Sequence, residues 1–249
     1  MIASNFKKQK METETIKKNE ASLKSQMSRR NFITRYQKIF WLSVVSVVMC
    51  SVNSNAQNSL ISDEGIIING VRWATRNVDA PGTFSASQES SGMFYQWNSK
   101  VGWSSVEPLA NSNGDMSWKE INMTALGKGN FWERTNDPSP AGWRVPNLVE
   151  INSLFDKKKV KNKWVVQNGV AGIKFTDKKT RKSIFFPACG RRNLFTLYYV
   201  GNTGTYWGNV DEYITEYARN LNFSQKIVTR PLSNLACEYA VSIRPVAIR

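Results

Sequence analysis

The sequence predicts an α+β domain of short antiparallel strands, one firm helix and a long tryptophan-rich loop region. Three observations carry this. Two Asn-Gly pairs each sit between β-prone runs, a capped apolar stripe follows Asn147, and residues 80–142 are dense in Gly, Ser, Asn and Trp without periodicity.

The first strands come from "GIIINGVRWATRNV", where Asn69-Gly70 accepts the positive φ angles of a type I′ hairpin turn. In 80–142, Trp97, Trp103, Trp118 and Trp132 are large aromatics that need something to pack against, so this stretch reads as ordered irregular structure. The stretch ends in "NDPSPAGWRVPNLVEINSLF". There Pro146 fixes φ after Trp143 and Arg144, and the Asn147 side chain can accept from an orphan helix amide. Glu150, three residues on, can reach back to the Asn147 amide, a capping box. Leu148, Ile151, Leu154 and Phe155 form one stripe on a helix of two to three turns, with Lys157 to Lys159 at its carboxyl end to suit the dipole. Beyond it, Asn168-Gly169 predicts a second hairpin and "GIKFTDKKTRKSIFFPACG" a third with a charged tip. "GTYWGNV", "YARNLNFS" and "EYAVSIRPVAI" supply further strands, the middle one with a half-buried alternation of Ala218, Asn220 and Asn222 against Arg219, Leu221 and Phe223.

Not all of the 249 residues enter the fold. Arginines, a 14-residue apolar run from Ile39 to Val52, and small residues at Ser54 and Ala56 have the layout of a secretory signal peptide, cleaved before Gln57. The run is shorter than the roughly 20 residues that span a bilayer. Residues 1–56 are leader, with Met27 or Met11 as alternative starts; 57–65 form a short linker and 66–249 the domain. Lipid attachment at Cys50 is the weaker alternative, because Met49 stands where a small residue is favoured. Residues 57–249 keep 24 Lys/Arg against 16 Asp/Glu, a formal charge of +8. Their lysines cluster in "DKKKVKNK" and "DKKTRKS", which read as solvated turn ends rather than a nucleic-acid patch; an acidic glycan or anionic cell surface stays open as a partner.

The chemical vocabulary is sparse. There is no histidine, which removes histidine-based triads and most zinc sites. Cys189 and Cys237 lack metal-ligand spacing; a single disulfide and two separate buried thiols are both open. "GNTGTYWG" is a turn rather than a phosphate loop, since no helix-forming run or lysine follows. Asp211, Glu212 and Glu216 are close in sequence and read as a solvated loop, with a calcium site as the alternative. No cofactor is implied. Exposed aromatics are the remaining route to function: Trp103 ("WSS") and Trp118 ("WKE") are followed by polar residues and are the candidate ligand platforms, with burial as the competing reading.

"INGVRWATRNVDAPGTF", "GMFYQWN", "DPSPAGWRVPNLVEI", "NGVAGIKF", "FFPACGRR", "GNTGTYW" and "VSIRPV" follow in an order that resembles the Fibrobacter succinogenes major paralogous domain, from about Ile66 to Val246. The resemblance implies a compact, distantly C-type-lectin-like domain of the kind borne by exported, surface-exposed or fimbria-associated bacterial proteins. It makes Trp143, Arg144, Pro146, Asn147 and Glu150 structural and implies no ligand. Cys189 and Pro245 depart from the family pattern, and the calcium-binding lectin signature is absent. The expectation is an exported, non-enzymatic binding or adhesion module for a surface glycan or protein partner. The alternative is a structural or accessory subunit of a fimbria-like surface assembly.

Overall fold

A computed structural model describes residues 62–118, 132–209, 217–226 and 233–248. The chain divides into two units, Met1–Ser59 and Leu60–Arg249, and every described residue belongs to the second. The signal-like run, Met27 and Cys50 therefore lie outside the described residues. No helix among those described is long and apolar enough to cross a membrane.

The described residues form a β-rich domain of small antiparallel sheets with one short α-helix. One sheet holds β1 (Ile66–Ile68), β2 (Val71–Trp73), β14 (Val246–Ala247) and β5 (Trp143–Arg144), in that order. β3 (Phe94–Tyr95) pairs with β4 (Gly102–Trp103). A three-stranded sheet runs β6 (Val160–Gln167), β7 (Val170–Asp177), β8 (Ser183–Pro187). A small hairpin joins β9 (Arg191–Asn193) to β10 (Thr196–Tyr198), and β11 (Thr203–Trp207), β12 (Tyr217–Ser224) and β13 (Ser233–Ala236) make the last sheet.

Both Asn-Gly turns form as the sequence requires. Asn69 and Gly70 take φ of 48° and 82°, Asn168 and Gly169 49° and 81°, so both central positions are left-handed and the strands leave with the right twist. The helix, α1 (Leu148–Ser153), is shorter than expected, at six residues. It closes with amides of Leu154 and Phe155 bonding back to Ile151 and Asn152, a tight i+3 ending. Lys157 to Lys159 consequently lie beyond it in an exposed turn and do not serve its dipole. β12 is not half-buried: Ala218, Asn220, Leu221 and Phe223 are all buried, because both of its faces are covered. The expected strand at 238–248 is broken at Arg244-Pro245, leaving isolated bridges at 240–242 and a two-residue β14.

Two apolar clusters make the core. One gathers Trp73, Phe94, Trp103, Phe175, Phe186, Tyr206 and Phe223; the other Tyr95, Trp97, Trp132, Trp207 and Val241. Neighbours in sequence, Phe94 and Tyr95 or Tyr206 and Trp207, belong to opposite clusters. Successive strand side chains point to opposite faces, so β3 and β11 run between the two clusters and are buried on both sides.

Candidate functional site

Of the two tryptophans expected to bind ligand, Trp103 is architectural. Trp103, on β4 opposite Phe94, is only 1% exposed. Trp118 is half-buried, and its ring lies 4.6 Å from that of Trp103 at 34°. Trp103 therefore offers no face to a ligand, which corrects the platform reading for that residue, and one face of Trp118 rests on it. The same loop region sends Trp97 against Trp132 and Trp207, at 5.1 and 5.4 Å. Among the described residues between 80 and 142 the strands are only two residues long, and indoles packed edge to face supply much of the filling.

The helix entrance is a network. The Glu150 amide donates to Asn147 Oδ1 at 2.8 Å and the Asn147 amide to Glu150 Oε2 at 2.9 Å, which is the capping box. Arg144, from β5, adds a fork, Nη1 to Oε2 at 2.9 Å and Nη2 to Oε1 at 2.7 Å. The Glu150 carboxylate beside it raises the Arg144 guanidinium further above its ordinary range. Pro146 has its own partner, its carbonyl accepting from the Asn209 amide at 2.7 Å. An open cleft of about 440 Å³ lies alongside, walled by Trp132, Arg134, Asp137, Trp143 and Ile248. Its Asp137 carboxylate is already engaged by the amides of Ser139 and Val145.

This network reverses the simple capping order. Asn147→Ala removes one cap and should cost about 1 kcal/mol. Glu150→Ala strips both the cap and the partially buried Arg144 fork, and should cost about 2–3 kcal/mol. Urea melts of the two variants check this; equal midpoints would mean that the fork adds nothing.

Cys189 and Cys237 are free and buried, and they sit in different core clusters. Of the two open readings, the separate thiols hold. Cys189 Sγ lies 3.2 Å from the Tyr206 hydroxyl and 3.4 Å from the Pro187 carbonyl, to which it donates. Burial pushes the Cys237 thiol up to about 12, so it carries almost no thiolate at neutral pH. Iodoacetamide without reductant should therefore label neither cysteine in the folded protein and both after unfolding, read by mass spectrometry.

Among the described residues, the exposed aromatics are Tyr217 on β12, 57% exposed, and a group on the β9–β10 hairpin and the residues after it. Phe195 is 66% exposed and Tyr199 56%, with Leu194, Tyr198 and Val200 also open. The hairpin has two faces. Arg192 and Leu197, Cα partners, point inward. Arg192 is fully buried and donates to the Ser104 and Val106 carbonyls at 2.9 and 3.0 Å and to Glu107 Oε1 at 3.0 Å. Arg191 is on the other face, its guanidinium carbon 4.6 Å from the Tyr239 ring centre and 5.2 Å from that of Tyr199. Beside them Asn193 Nδ2 donates to Glu238 Oε1 at 3.2 Å.

The backbone here is unusual. Leu194 and Tyr199 hold φ of 52° and 58°, a left-handed conformation that favours glycine or asparagine. Gly190, at φ 71°, closes the base; a Cβ there would fall 2.2 Å from the Tyr198 carbonyl oxygen. Arg181, in the β7–β8 turn, is left-handed too, at φ 64°; such positions collect at sites of function, and the exposed aromatic side chains set the β9–β10 hairpin apart. Sequence reasoning missed the hairpin. Its signal was "NLFT": a Leu-Phe pair at a tight turn where Asn-Gly stands in the β1–β2 and β6–β7 hairpins.

No group of three or more metal-ligating side chains occurs among the described residues; Asp211, Glu212 and Glu216 lie outside them. No family model matches the chain, and no curated protein or solved structure matches it either.

Proposed function

We propose that this chain is an exported, non-enzymatic binding module of the cell surface or periplasm. Its core is C-type-lectin-like and related to the Fibrobacter succinogenes major paralogous domain, and the Arg191–Val200 hairpin is its recognition surface. The observation that carries the reading is the cost of the hairpin's backbone: Leu194 at the tip and Tyr199 after β10 are held left-handed, with Phe195, Tyr198 and Tyr199 facing solvent. The chemistry suits a sugar. Tyrosine faces stack on the apolar side of a pyranose, while the Arg191 guanidinium, Asn193 amide and Glu238 carboxylate supply donors and acceptors at the rim. The order of the sequence motifs and the short antiparallel strands with a single capped helix support the family reading, and the signal-like run before Gln57 supports export.

A second reading, an accessory subunit of a fimbria-like assembly, draws on the aliphatic part of the tip. Leu194 and Val200 are exposed, and apolar tips of this kind suit a protein partner better than a sugar.

Tyr199→Gly and Leu194→Gly separate function from folding. Each relieves a left-handed φ, so stability should stay within about 0.5 kcal/mol of the parent or rise. Binding to an immobilised glycan array should be lost. Unchanged binding by both variants would remove the hairpin as the site. An array with no saturable sugar would turn the assignment toward the assembly subunit.

A further inference from the structure

The charge of the domain is unevenly placed. Residues 57–249 hold 24 Lys/Arg and 16 Asp/Glu, and segment 156–182 alone holds ten of the cations and two of the acids. Outside that segment there are 14 of each. The entire excess of +8 therefore belongs to 27 residues, the β6–β7 hairpin with the turns at its base.

The fold gathers these charges on one surface. Nine of the ten cations are exposed and Lys174 is half-buried. Lys163 and Lys174 are direct partners across β6 and β7, and Lys161, two residues from Lys163, shares their face. Like charges opposed on neighbouring strands are destabilising, so folding does not account for the pair. The two lysine-rich turns are tied together: the Lys178 amide donates to the Lys159 carbonyl at 2.8 Å and Lys178 Nζ to the Lys157 carbonyl at 2.5 Å. The segment's two acids are committed to backbone. Asp177 accepts from the amides of Asn69, Lys179 and Thr180, which hold its carboxyl below the usual range, and Asp156 accepts from the Lys158 amide. No ion pair among the described residues includes any of the ten cations.

We propose that this surface binds an acidic polysaccharide lying along β6. The proposal goes beyond the aromatic hairpin and does not depend on it. β6 is an edge strand, so a chain can approach it along its length. A strand rise of about 3.3 Å sets Lys161 and Lys163 about 7 Å apart, with the turn lysines continuing the track. Nine of the ten cations are lysine, a hydrated point charge rather than the planar fork that reads phosphate. No aromatic ring of the segment is exposed; Trp164 is half-buried against Phe223. A single-stranded nucleic acid would lack its stacking platform here, whereas a polymer of carboxylated or sulfated sugars asks only for charge. Lysines on an edge strand also deter edge-to-edge pairing, but Lys174 lies on the central strand, where no such guard is needed.

The test is binding of the full chain to immobilised alginate, a polyuronate, and to dextran sulfate, across a salt series. The triple variant Lys161→Gln, Lys163→Gln, Lys174→Gln is compared with the equal-charge control Arg72→Gln, Lys100→Gln, Lys226→Gln. A second triple in the turns, Lys157→Gln, Lys158→Gln, Lys179→Gln, covers the case in which the sheet triple fails to fold. Saturable binding to either polymer is expected, with affinity at about 0.1 M salt falling about ten-fold in the sheet or turn triple and less than about two-fold in the control. Four results would overturn the proposal: no binding to either polymer, equal losses in test and control variants, tighter binding to an oligothymidylate of matched charge, or a sheet triple that self-associates while keeping its polysaccharide affinity.

Discussion

Trp103→Ala is expected to destabilise the domain by about 3–5 kcal/mol, enough to leave much of it unfolded at 37 °C. The indole is almost completely buried on β4, opposite Phe94, and the Trp118 ring rests on it at 4.6 Å, so truncation removes the floor beneath a second aromatic. Trp118→Ala, at a half-buried position, should cost less than half as much. The indole N–H of Trp103 has no partner, which gives a control: Trp103→Phe keeps most of the apolar bulk and discards only an unsatisfied donor, so its cost should stay near 1 kcal/mol. Denaturant melts followed by circular dichroism provide the comparison. A Trp103→Ala protein with the parental midpoint would return this residue to the surface and reopen the platform reading.

Arg244→Ala should cost about 3 kcal/mol or more. The side chain is 1% exposed, and its Nε donates to Asn77 Oδ1 at 2.7 Å while Nη1 donates to the carbonyls of Ala74 and Thr75. The guanidinium also lies over the Phe186 ring at 4.7 Å. Alanine leaves three buried acceptors without their donor, and each such loss carries a desolvation penalty. Lysine should not rescue it, because one ammonium cannot span an amide oxygen on one side and two carbonyls on the other. Burial lowers the Arg244 pKa, a sign that keeping a charge there is itself costly. If Arg244→Met proves as stable as the parent, the cost of burying the charge cancels its bonds, and the residue contributes specificity rather than stability.

The parts of the fold legible in the sequence are those set by short-range chemistry. Asn-Gly accepts left-handed φ at both turn positions whatever surrounds it, so both hairpins could be read directly. The Asn147/Glu150 box is local too. Arg144, only six residues from Glu150, was within reach, but its fork depends on β5 delivering it to the helix start, and β5 exists only because β14 pairs with it from the far end of the chain. Burial was harder to read. Trp103 and Trp118 are followed by polar residues, but the next residue does not fix a side chain's own exposure: Trp103, on the two-residue β4, is buried while Ser104 and Ser105 are only half-buried. The aromatic hairpin failed for the opposite reason. "LFTLYYV" has the composition of a core strand, and only the three-dimensional turn shows that its apolar side chains, Leu197 apart, face outward.

The segment from Ala240 to Ile248 has a consequence for how the domain is made. It bridges to Tyr95, Arg192 and Tyr206, bonds to the backbones of Ala74 and Val78, and places β14 between β2 and β5. Every described sheet but that of β6–β8 thus touches a stretch far removed in sequence from most of its partners. Contacts joining residues near 73 to residues near 246 must close a very long loop before they gain anything, and folding slows as contact order rises. Without these pairings the sheets lack their common partner, so the domain is expected to close late and as a unit.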